Sequence, residues 1–345
     1  MAAGTRDSIV DVGGVLVGHH QRLDERWATG TSVVLTPGGA TAAVDVRGGG
    51  PGTRETDVLE PTHLVAQAHG VVLTGGSAYG LAAADGAMSW LADRGYGFRV
   101  GEHAHEVVPV VPAAVLFDLP MGDWGNRPGA EFGRLADDAA TADESREGNV
   151  GAGAGAVAGS LKGGIGTAGE VFHSAALGID VTVGALFAVN SLGSVIDPET
   201  GLPWDGHPGL RAPAEAEVVA GRARTGPTAG RPSRHGTASR PLNTTIGVVA
   251  VDLALTKAHC KRIAVAAHDG LARAIRPAHS LADGDTVFAL ATGEREPGAQ
   301  WVPVLDEVCA VAAGVVRRAI VRAVLAAEPV GEVTSYTSLY PSARE

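Results

Sequence analysis

The sequence of 345 residues contains 49 glycines, and only 4% of its residues are aromatic. Its length allows one large domain or two, and the core of either must come from closely packed alanine, valine, leucine and isoleucine. The net charge of −11 argues against a nucleic-acid partner and an acidic membrane surface, because binding to either needs a concentrated basic patch.

Elements of the first half alternate between strand and helix. The N-terminal third has short apolar strands separated by glycine turns, such as "SIVDVGGVLVGH" and "GTSVVLTPGGATAAVDV". A helix is predicted over residues 78–94, and a strand or strand edge over 103–119, where two prolines interrupt any helix. The acidic stretch 136–148 is helical in character. Two strand-like runs follow a glycine-rich segment, and the second, "LGIDVTVGALFAVN", is the stronger.

A change of composition separates the last third of the chain from the rest. Residues 221–243 contain five arginines and three prolines but no acidic residue, which predicts a mobile connector over 218–243. Four elements follow it in the order strand, helix, strand, helix: residues 245–253, 255–275, 285–292 and 302–327. We therefore expect a single α/β domain over residues 1–345 with layered sheets, in which antiparallel pairs predominate over a doubly wound parallel arrangement.

Targeting signals are not visible in the sequence. The N-terminus lacks a basic region followed by an apolar run, and the longest apolar run, residues 107–117, is too short to span a bilayer. Cys260 and Cys309 lie in apolar helical patterns, which predicts buried thiols and not a disulfide. We expect a cytoplasmic protein.

Nucleotide-binding motifs are matched only superficially. Residues 151–156 satisfy G-x-G-x-x-A, but the preceding "ADESREGN" is not the buried strand that a dinucleotide site needs. "GSLKGG" around Lys162 lacks the Gly-Lys-Ser/Thr triplet of a phosphate-binding loop. The glycines instead favour a strand that another backbone approaches closely.

Metal and serine-hydrolase motifs are equally weak. His103 and His105 have no zinc-site spacing around them, and "GGSAYG" around Ser77 does not fit G-x-S-x-G. The sequence therefore predicts no metal and no organic cofactor. Asp283 and Asp285 precede a strand, where they form either an Asp-Gly turn or a pair of carboxylates that orients a hydroxyl or an ammonium.

The junction "RPLNTTIGVVAVDL" joins the connector to a strand. On local pattern alone it is a capped start of a strand. A threonine hydroxyl becomes a nucleophile when a base lies beside it, and its own α-amino group can serve once it is free. Attack of the Thr244 hydroxyl on the Asn243 carbonyl, an N-to-O acyl shift and ester hydrolysis would free that amine. Its reference pKa is roughly 7.7–8.0.

Six stretches resemble one known family: "GGGPGTRETDVLEP", "LTGGSAYGL", "VGAGAGAVAGSLKGG", "FAVNSLG", "NTTIGVVAVD" and "DGDTVFALATG". In this order they resemble the L-aminopeptidase/D-esterase family, which includes β-aminopeptidases and nylon-oligomer (6-aminohexanoate oligomer) hydrolases. The resemblance runs from about Val10 to Ala327. The Asn-Thr-Thr junction is most similar to that of the nylon-oligomer hydrolases, since many relatives have a serine nucleophile.

The resemblance implies a self-cleaving N-terminal-nucleophile hydrolase on an αββα four-layer sandwich. An α-subunit, residues 1–243, and a β-subunit, residues 244–345, would stay associated after cleavage between Asn243 and Thr244. The substrate would be a small peptide or an amide oligomer, and processed units would form a homo-oligomer.

Carried over position by position, the resemblance also assigns the site. Thr244 would be the nucleophile and its amine the base, and Asn190 would donate its amide to the oxyanion. Lys162 would support the oxyanion or tune the amine, while Asp283 and Asp285 would hold the Thr244 hydroxyl and ammonium. A further position, Phe117, stands where the nylon-oligomer hydrolases have an active-site tyrosine, so it is a candidate substrate-pocket residue.

Two alternatives remain open from the sequence. Ornithine acetyltransferases use the same nucleophile architecture but pass the acyl group to an amine, although "GGSAYGL" and "DGDTVFALATG" point away from them. The other alternative is an uncleaved, inactive binding scaffold that has kept the fold.

Overall fold

The computed structural model describes residues 6–225, 242–293 and 295–344. Its strands are β1 (Leu16–Leu23), β2 (Ala28–Val46), β3 (Thr53–Arg54), β4 (Gln67–Thr74), β5 (Phe98–Arg99), β6 (Val107–Val108), β7 (Ala113–Val115), β8 (Val157–Ala158), β9 (Leu161–Lys162), β10 (Gly164–Ser174), β11 (Ile179–Asn190), β12 (Thr244–Val251) and β13 (Thr286–Ala291). Its α-helices are α1 (Ala83–Ala92), α2 (Ala130–Asp138), α3 (Glu215–Thr225), α4 (Lys257–Ala274), α5 (Trp301–Leu325) and α6 (Tyr336–Leu339).

One mixed sheet forms the frame of the described chain. Its strand order is β10-β11-β12-β13-β2-β4-β7-β3, and β1 pairs with β2 outside this path. Only β12–β13 and β4–β7 pair in parallel within this sheet, so the predicted predominance of antiparallel pairs is confirmed.

The 19-residue strand β2 joins two halves of the sheet. Its first part pairs with β1 and β4, and its last part, Thr41–Val46, pairs with β13. Between them the register with β4 shifts from Leu35 to Ala40, and Gly39 has a φ of +83°, which a glycine adopts without steric cost. The two halves can therefore lie face to face.

The central core lies between these halves. Val34 and Val71, from β2 and β4, belong to the same buried cluster as Ile246 and Phe288, from β12 and β13. Because side chains alternate along a strand, the neighbouring positions point outwards, towards helices.

Helices cover both outer faces. Val33 and Val72 pack against α1 and α2, while Val249 and Val183 pack against α4 and α5. The order of layers is helix, sheet, sheet, helix, which confirms the expected αββα sandwich within the α/β class.

The four elements predicted after the connector are present, with ends shifted by one or two residues. The predicted helix 78–94 begins with a 3-10 helix, Ser77–Ala82, before α1. The prediction of helix over 136–148 is wrong beyond Asp138. There the chain leaves α2, Thr141 exchanges backbone hydrogen bonds with Val17 of β1, and Gly148 exchanges them with Ile165 of β10.

The glycine-rich segment is also different from the prediction. Gly151–Gly153 form a 3-10 helix and not a strand. The expected close approach of another backbone is present, since a Cβ on Gly153 would lie 2.4 Å from the Ile165 nitrogen.

The predicted connector 218–243 is shorter than expected on its N-terminal side. Residues 218–225 continue α3, in which Glu215 and Glu217 occupy the first turn and Arg222 and Arg224 the last, a charge order that favours a helix. Residues 226–241 lie outside the described part of the chain. At the other end the Asn243 N–H donates to the Ala282 carbonyl at 3.0 Å.

Both cysteines are free thiols, as predicted, but only Cys260 is buried, whereas Cys309 is partly exposed. Among the described residues, none of the helices combines the length and the apolar character that crossing a bilayer requires.

The crossing of α1 and α2 generates a stability prediction. A Cβ on Gly133 would lie 1.9 Å from the Ala83 carbonyl oxygen, whereas a Cβ on Gly314, in the middle of α5, meets nothing within 4 Å. We expect Gly133→Ala to destabilise the fold by at least about 1–3 kcal/mol through overpacking. The matched control Gly314→Ala should stabilise it by about 1 kcal/mol. Thermal unfolding midpoints that move in the same direction would contradict the tight crossing.

Candidate active site

Three strand ends meet at the predicted junction. Asn190 is the last residue of β11 and pairs with Thr244, the first residue of β12. Because β12 and β13 are parallel, the start of β13 lies at the same end of the sheet, where Asn243 forms a bridge with Asp283. Residues far apart in sequence are therefore neighbours at one point.

The Asn243–Thr244 peptide is buried, with Thr244 only 4% exposed. The Thr244 Oγ1 donates to the carbonyl oxygen of Asn243. The Gly284 N–H donates to the same oxygen at 2.9 Å. The hydroxyl thus lies beside the preceding carbonyl group, which is polarised by a backbone donor on its other side.

Three consecutive glycines pack against this junction. The Gly50 N–H donates to the Asp283 carbonyl at 2.8 Å, and the Arg47 N–H donates to the Asp285 carbonyl at 3.0 Å. A Cβ on Gly48 would lie 2.3 Å from the Asp283 carbonyl oxygen. Glycine at positions 48 and 49 therefore lets this segment pack directly against the loop that carries Asp283.

Asp283 and Asp285 both accept backbone hydrogen bonds around the junction. Asp283 accepts from the N–H groups of Leu192, at 3.2 Å, and Ser280, at 2.9 Å. Burial raises the pKa of Asp283. Asp285 accepts the Thr245 N–H at 2.7 Å.

Neither carboxylate hydrogen-bonds Thr244 within the described residues, which differs from the expected direct contact. In the uncut chain the Thr244 nitrogen is an amide, so the ammonium that the sequence analysis assigned to these carboxylates does not exist. They fix the backbone beside Thr244 instead.

Asn190 is fully buried next to Thr244. Its Oδ1 accepts the Val157 N–H at 2.9 Å, and its Nδ2 donates to the Phe117 carbonyl at 3.2 Å. These two contacts fix which way the amide faces.

Lys162 is fully buried as well. Its Nζ donates to the carbonyls of Gly153 and Gly163, both at 2.7 Å. Burial lowers the pKa of Lys162 to about 7, although the charge of Asp118 acts in the opposite direction. Lys162 pairs with Val157, whose N–H contacts Asn190, so the lysine lies in the same neighbourhood as Thr244.

Asp118 was missed by the sequence analysis. It accepts the Gly76 N–H at 2.7 Å through Oδ1 and is 3% exposed. Burial raises the pKa of Asp118 to about 6, while the Gly76 hydrogen bond and the charge of Lys162 act in the opposite direction. The available signal was a lone carboxylate directly after the apolar run "VPAAVLF".

Phe117 lies between the site and the surface. Its carbonyl holds Asn190, while its half-buried ring meets Trp124 edge to face, with centroids 6.4 Å apart. Trp124 is 58% exposed. An apolar aromatic pair therefore occupies the position predicted for substrate contact.

Metal-ligating side chains do not converge in the described part of the chain, where no three of His, Cys, Asp and Glu are placed to hold an ion. The rings of His103 and His105 stack on each other at a centroid distance of 5.7 Å.

Residues 7–337 match the sequence profile of a family described as peptidase family S58. The chain belongs to peptidase family S58. It is accordingly a hydrolase of peptide or amide bonds, which favours hydrolysis over the acyl-transferase alternative.

Relatives of this S58 peptidase include proteins named aminopeptidases and proteins named oligomer hydrolases. An uncharacterized aminopeptidase of Mycobacterium tuberculosis is 49% identical over 98% of this chain and 99% of its own length. A 6-aminohexanoate-oligomer endohydrolase of a Kocuria species is 29% identical over 78% of this chain and 71% of its own.

Solved structures show the same fold. The L-aminopeptidase D-Ala-esterase/amidase of Ochrobactrum anthropi, described as a variant of the Ntn hydrolase fold, has a TM-score of 0.71 and 24% identity, covering 93% of this chain and 86% of its own. A β-aminopeptidase of a Burkholderia species has a TM-score of 0.71 and 23% identity, covering 97% and 92%.

The pair Lys162 and Asp118 generates a prediction that spectroscopy can test. The S58 peptidase has only three lysines, so ¹³C-lysine NMR resolves each one. We expect Lys162 to titrate at about 7 and Asp118→Asn to lower that midpoint, because the ammonium loses a favourable charge. Asp123→Asn, at an exposed carboxylate paired with Arg26, is the control and should leave it unchanged. An unchanged Lys162 midpoint in Asp118→Asn would show that the two groups do not interact.

Proposed function

We propose that this chain is a self-cleaving threonine hydrolase that acts as an aminopeptidase on short peptides or related amides. The observation that carries the proposal is the arrangement at one peptide bond. The Thr244 hydroxyl lies on the Asn243 carbonyl, and the Gly284 N–H donates to that same carbonyl oxygen.

Self-cleavage follows from this arrangement. Thr244 Oγ1 attacks the Asn243 carbonyl carbon, and the negative charge that develops on the oxygen is stabilised by the Gly284 N–H. The C–N bond then breaks, the nitrogen takes a proton, and the acyl group remains on Oγ1 as an ester. Water hydrolyses the ester, which leaves a carboxylate at Asn243 and a free amine and hydroxyl at Thr244.

Lys162 is our candidate base for this first step. Before cleavage Thr244 has no free amine, so another group must accept its hydroxyl proton. The two carbonyls at 2.7 Å satisfy the two N–H donors of a neutral lysine amine and leave its lone pair available. A pKa lowered to about 7 makes the neutral amine abundant at neutral pH.

The uncut junction contains a buried group that favours cleavage. The Asn243 side chain is 2% exposed, and neither its Nδ2 nor its Oδ1 has a hydrogen-bond partner in the described structure. Each buried polar atom without a partner costs about 1–3 kcal/mol. Cleavage frees Asn243 to move into water, so the product recovers that free energy.

The freed Thr244 amine, with a reference pKa of roughly 7.7–8.0, is then the base for substrate hydrolysis. The Thr244 hydroxyl gives its proton to the amine and attacks the substrate carbonyl, and Asn190 donates to the oxyanion. The substrate C–N bond then breaks, the leaving amine takes the proton from the Thr244 ammonium, and water hydrolyses the acyl ester to release the acid. Asp283 and Asp285, already held at the junction, face the new ammonium. No metal or organic cofactor takes part in these steps.

An aminopeptidase is favoured over a nylon-oligomer hydrolase for two reasons. The relatives that match this chain over nearly its whole length at 47–49% identity are named aminopeptidases, whereas the oligomer hydrolases match 78% of it at 28–29%. In addition, Phe117 lacks the phenol of the oligomer hydrolases and pairs with Trp124, which makes this side of the site apolar.

We further propose that processed units associate and that they work in the cytoplasm. The association rests on the family resemblance, since single exposed leucines such as Leu64 and Leu281 are common on monomers. The two free thiols suit a reducing compartment.

Denaturing electrophoresis tests self-cleavage. Wild-type protein incubated to completion should give two bands, and N-terminal sequencing of the smaller should begin at Thr244. Thr244→Ala should stay full-length because it lacks the hydroxyl, while Thr244→Ser should still be cut. A single full-length wild-type band would refute the proposal and support the inactive scaffold.

A substrate pair tests the aminopeptidase assignment. The processed enzyme should hydrolyse an aminoacyl anilide with a free amino group at least about tenfold faster than its N-acetylated form, because the substrate ammonium contributes binding energy. Unprocessed Thr244→Ala should hydrolyse neither. A preference for linear 6-aminohexanoate oligomers over aminoacyl anilides would assign the chain to the other substrate class.

A further inference from the structure

His279 contacts the site and has no role in the function proposed above. It lies in the loop between α4 and β13, and its side chain is 21% exposed. Its Nδ1 lies 2.8 Å from the Asp285 Oδ2, and its backbone N–H donates to the same oxygen at 3.2 Å. The other oxygen of Asp285, Oδ1, accepts the Thr245 N–H at 2.7 Å.

The surroundings of His279 fix the position of its proton. Nδ1 faces a carboxylate oxygen, so it carries the hydrogen and donates. Nε2 is buried and has no hydrogen-bond partner among the described residues. If Nε2 carries a lone pair and no hydrogen, no N–H donor is buried there without an acceptor. The surroundings therefore fit a ring that carries its hydrogen at Nδ1.

The ring of a second histidine packs against the ring of His279. His268 is fully buried, and its ring meets that of His279 at 70° with centroids 4.9 Å apart. Burial lowers the pKa of His268 to about 4, so it is neutral at neutral pH, and its Nε2 donates to the Asp45 carbonyl at 3.2 Å. The ring of His279 is therefore held in one orientation.

We propose that His279 is a positioning residue for Thr244. By donating from Nδ1 it orients the Asp285 carboxylate, which holds the Thr245 N–H and thereby sets the Thr244 hydroxyl against the Asn243 carbonyl. The inference rests on the proposed self-cleavage and adds a residue through which it is controlled.

The backbone of His279 allows a matched pair of variants. Its φ is +56°, in the left-handed region that asparagine and aspartate tolerate better than most residues. Asparagine places an amide N–H donor where Nδ1 lies. Aspartate has the same shape but puts a carboxylate against Asp285, where like charges repel.

The experiment measures the rate of self-cleavage in the full chain. His279→Asn should cleave within about threefold of wild type, and His279→Asp should be at least about 30-fold slower, since loss of positioning lowers the rate of the chemical step. A further variant, Asp285→Asn in the His279→Asp background, removes the like-charge repulsion and restores a donor to the pair. Its amide oxygen still accepts from Thr245, while the backbone N–H of residue 279 loses its acceptor. This double variant should recover at least about tenfold of the lost rate.

The recovery of rate by Asp285→Asn and a further variant at position 279 distinguish loss of positioning from loss of stability. His279→Gly tolerates the positive φ and keeps the backbone donor but has no side-chain donor, so it should be slow even if His279→Asp does not fold. If the wild type cleaves and the asparagine, aspartate and glycine variants all cleave at the same rate, His279 has no positioning role, while self-cleavage itself stands. A wild type that never cleaves would overturn self-cleavage itself, and the inference with it.

Discussion

The parallel pairing of β12 with β13 is the constraint on which the site depends. Parallel strands start at the same edge of a sheet, so the pairing places Asn243 beside Asp283 and Gly284 although 40 residues and helix α4 separate them. Only in this register does the Gly284 N–H meet the Asn243 carbonyl. The antiparallel neighbour β11 ends at the same edge and adds Asn190. The fold thus assembles the site from strand ends.

Burial of two ionisable groups, Lys162 and Asp118, is the second property of this edge. The glycine-rich segment, which resembles a nucleotide motif, instead lets the chain pass close to both groups. Gly153 gives its carbonyl to Lys162, and a Cβ on Gly155 would lie 2.8 Å from the Cβ of Asp118. Burial moves the pKa values of the two groups towards each other, to about 7 for Lys162 and about 6 for Asp118. Small residues are therefore needed here for packing, and the resulting burial shifts the pKa values of Lys162 and Asp118.

The layers of the fold could be predicted from sequence because hydrophobic spacing is local. Strand β12 and helix α5 begin and end within two residues of their predicted limits. The helix predicted beyond Asp138 failed because Thr141 has a better partner in β1, which no local pattern contains. The order of the family motifs assigned Asn190 and Thr244 to one site, and in the structure the two residues pair across β11 and β12. Asp118 and His279 escaped prediction because their roles come from burial and from contacts across the fold.

The three glycines at the junction have a consequence for maturation. Gly48–Gly50, the 279–285 loop and the end of β11 must all reach Thr244 before its hydroxyl can be held against the Asn243 carbonyl. Under the proposed function, a chain with any of these segments misplaced stays in one piece. Cleavage of the Asn243–Thr244 bond would then mark, irreversibly, each molecule that has folded. After incubation to completion, the uncut fraction of a preparation would count the molecules that never reached the native state.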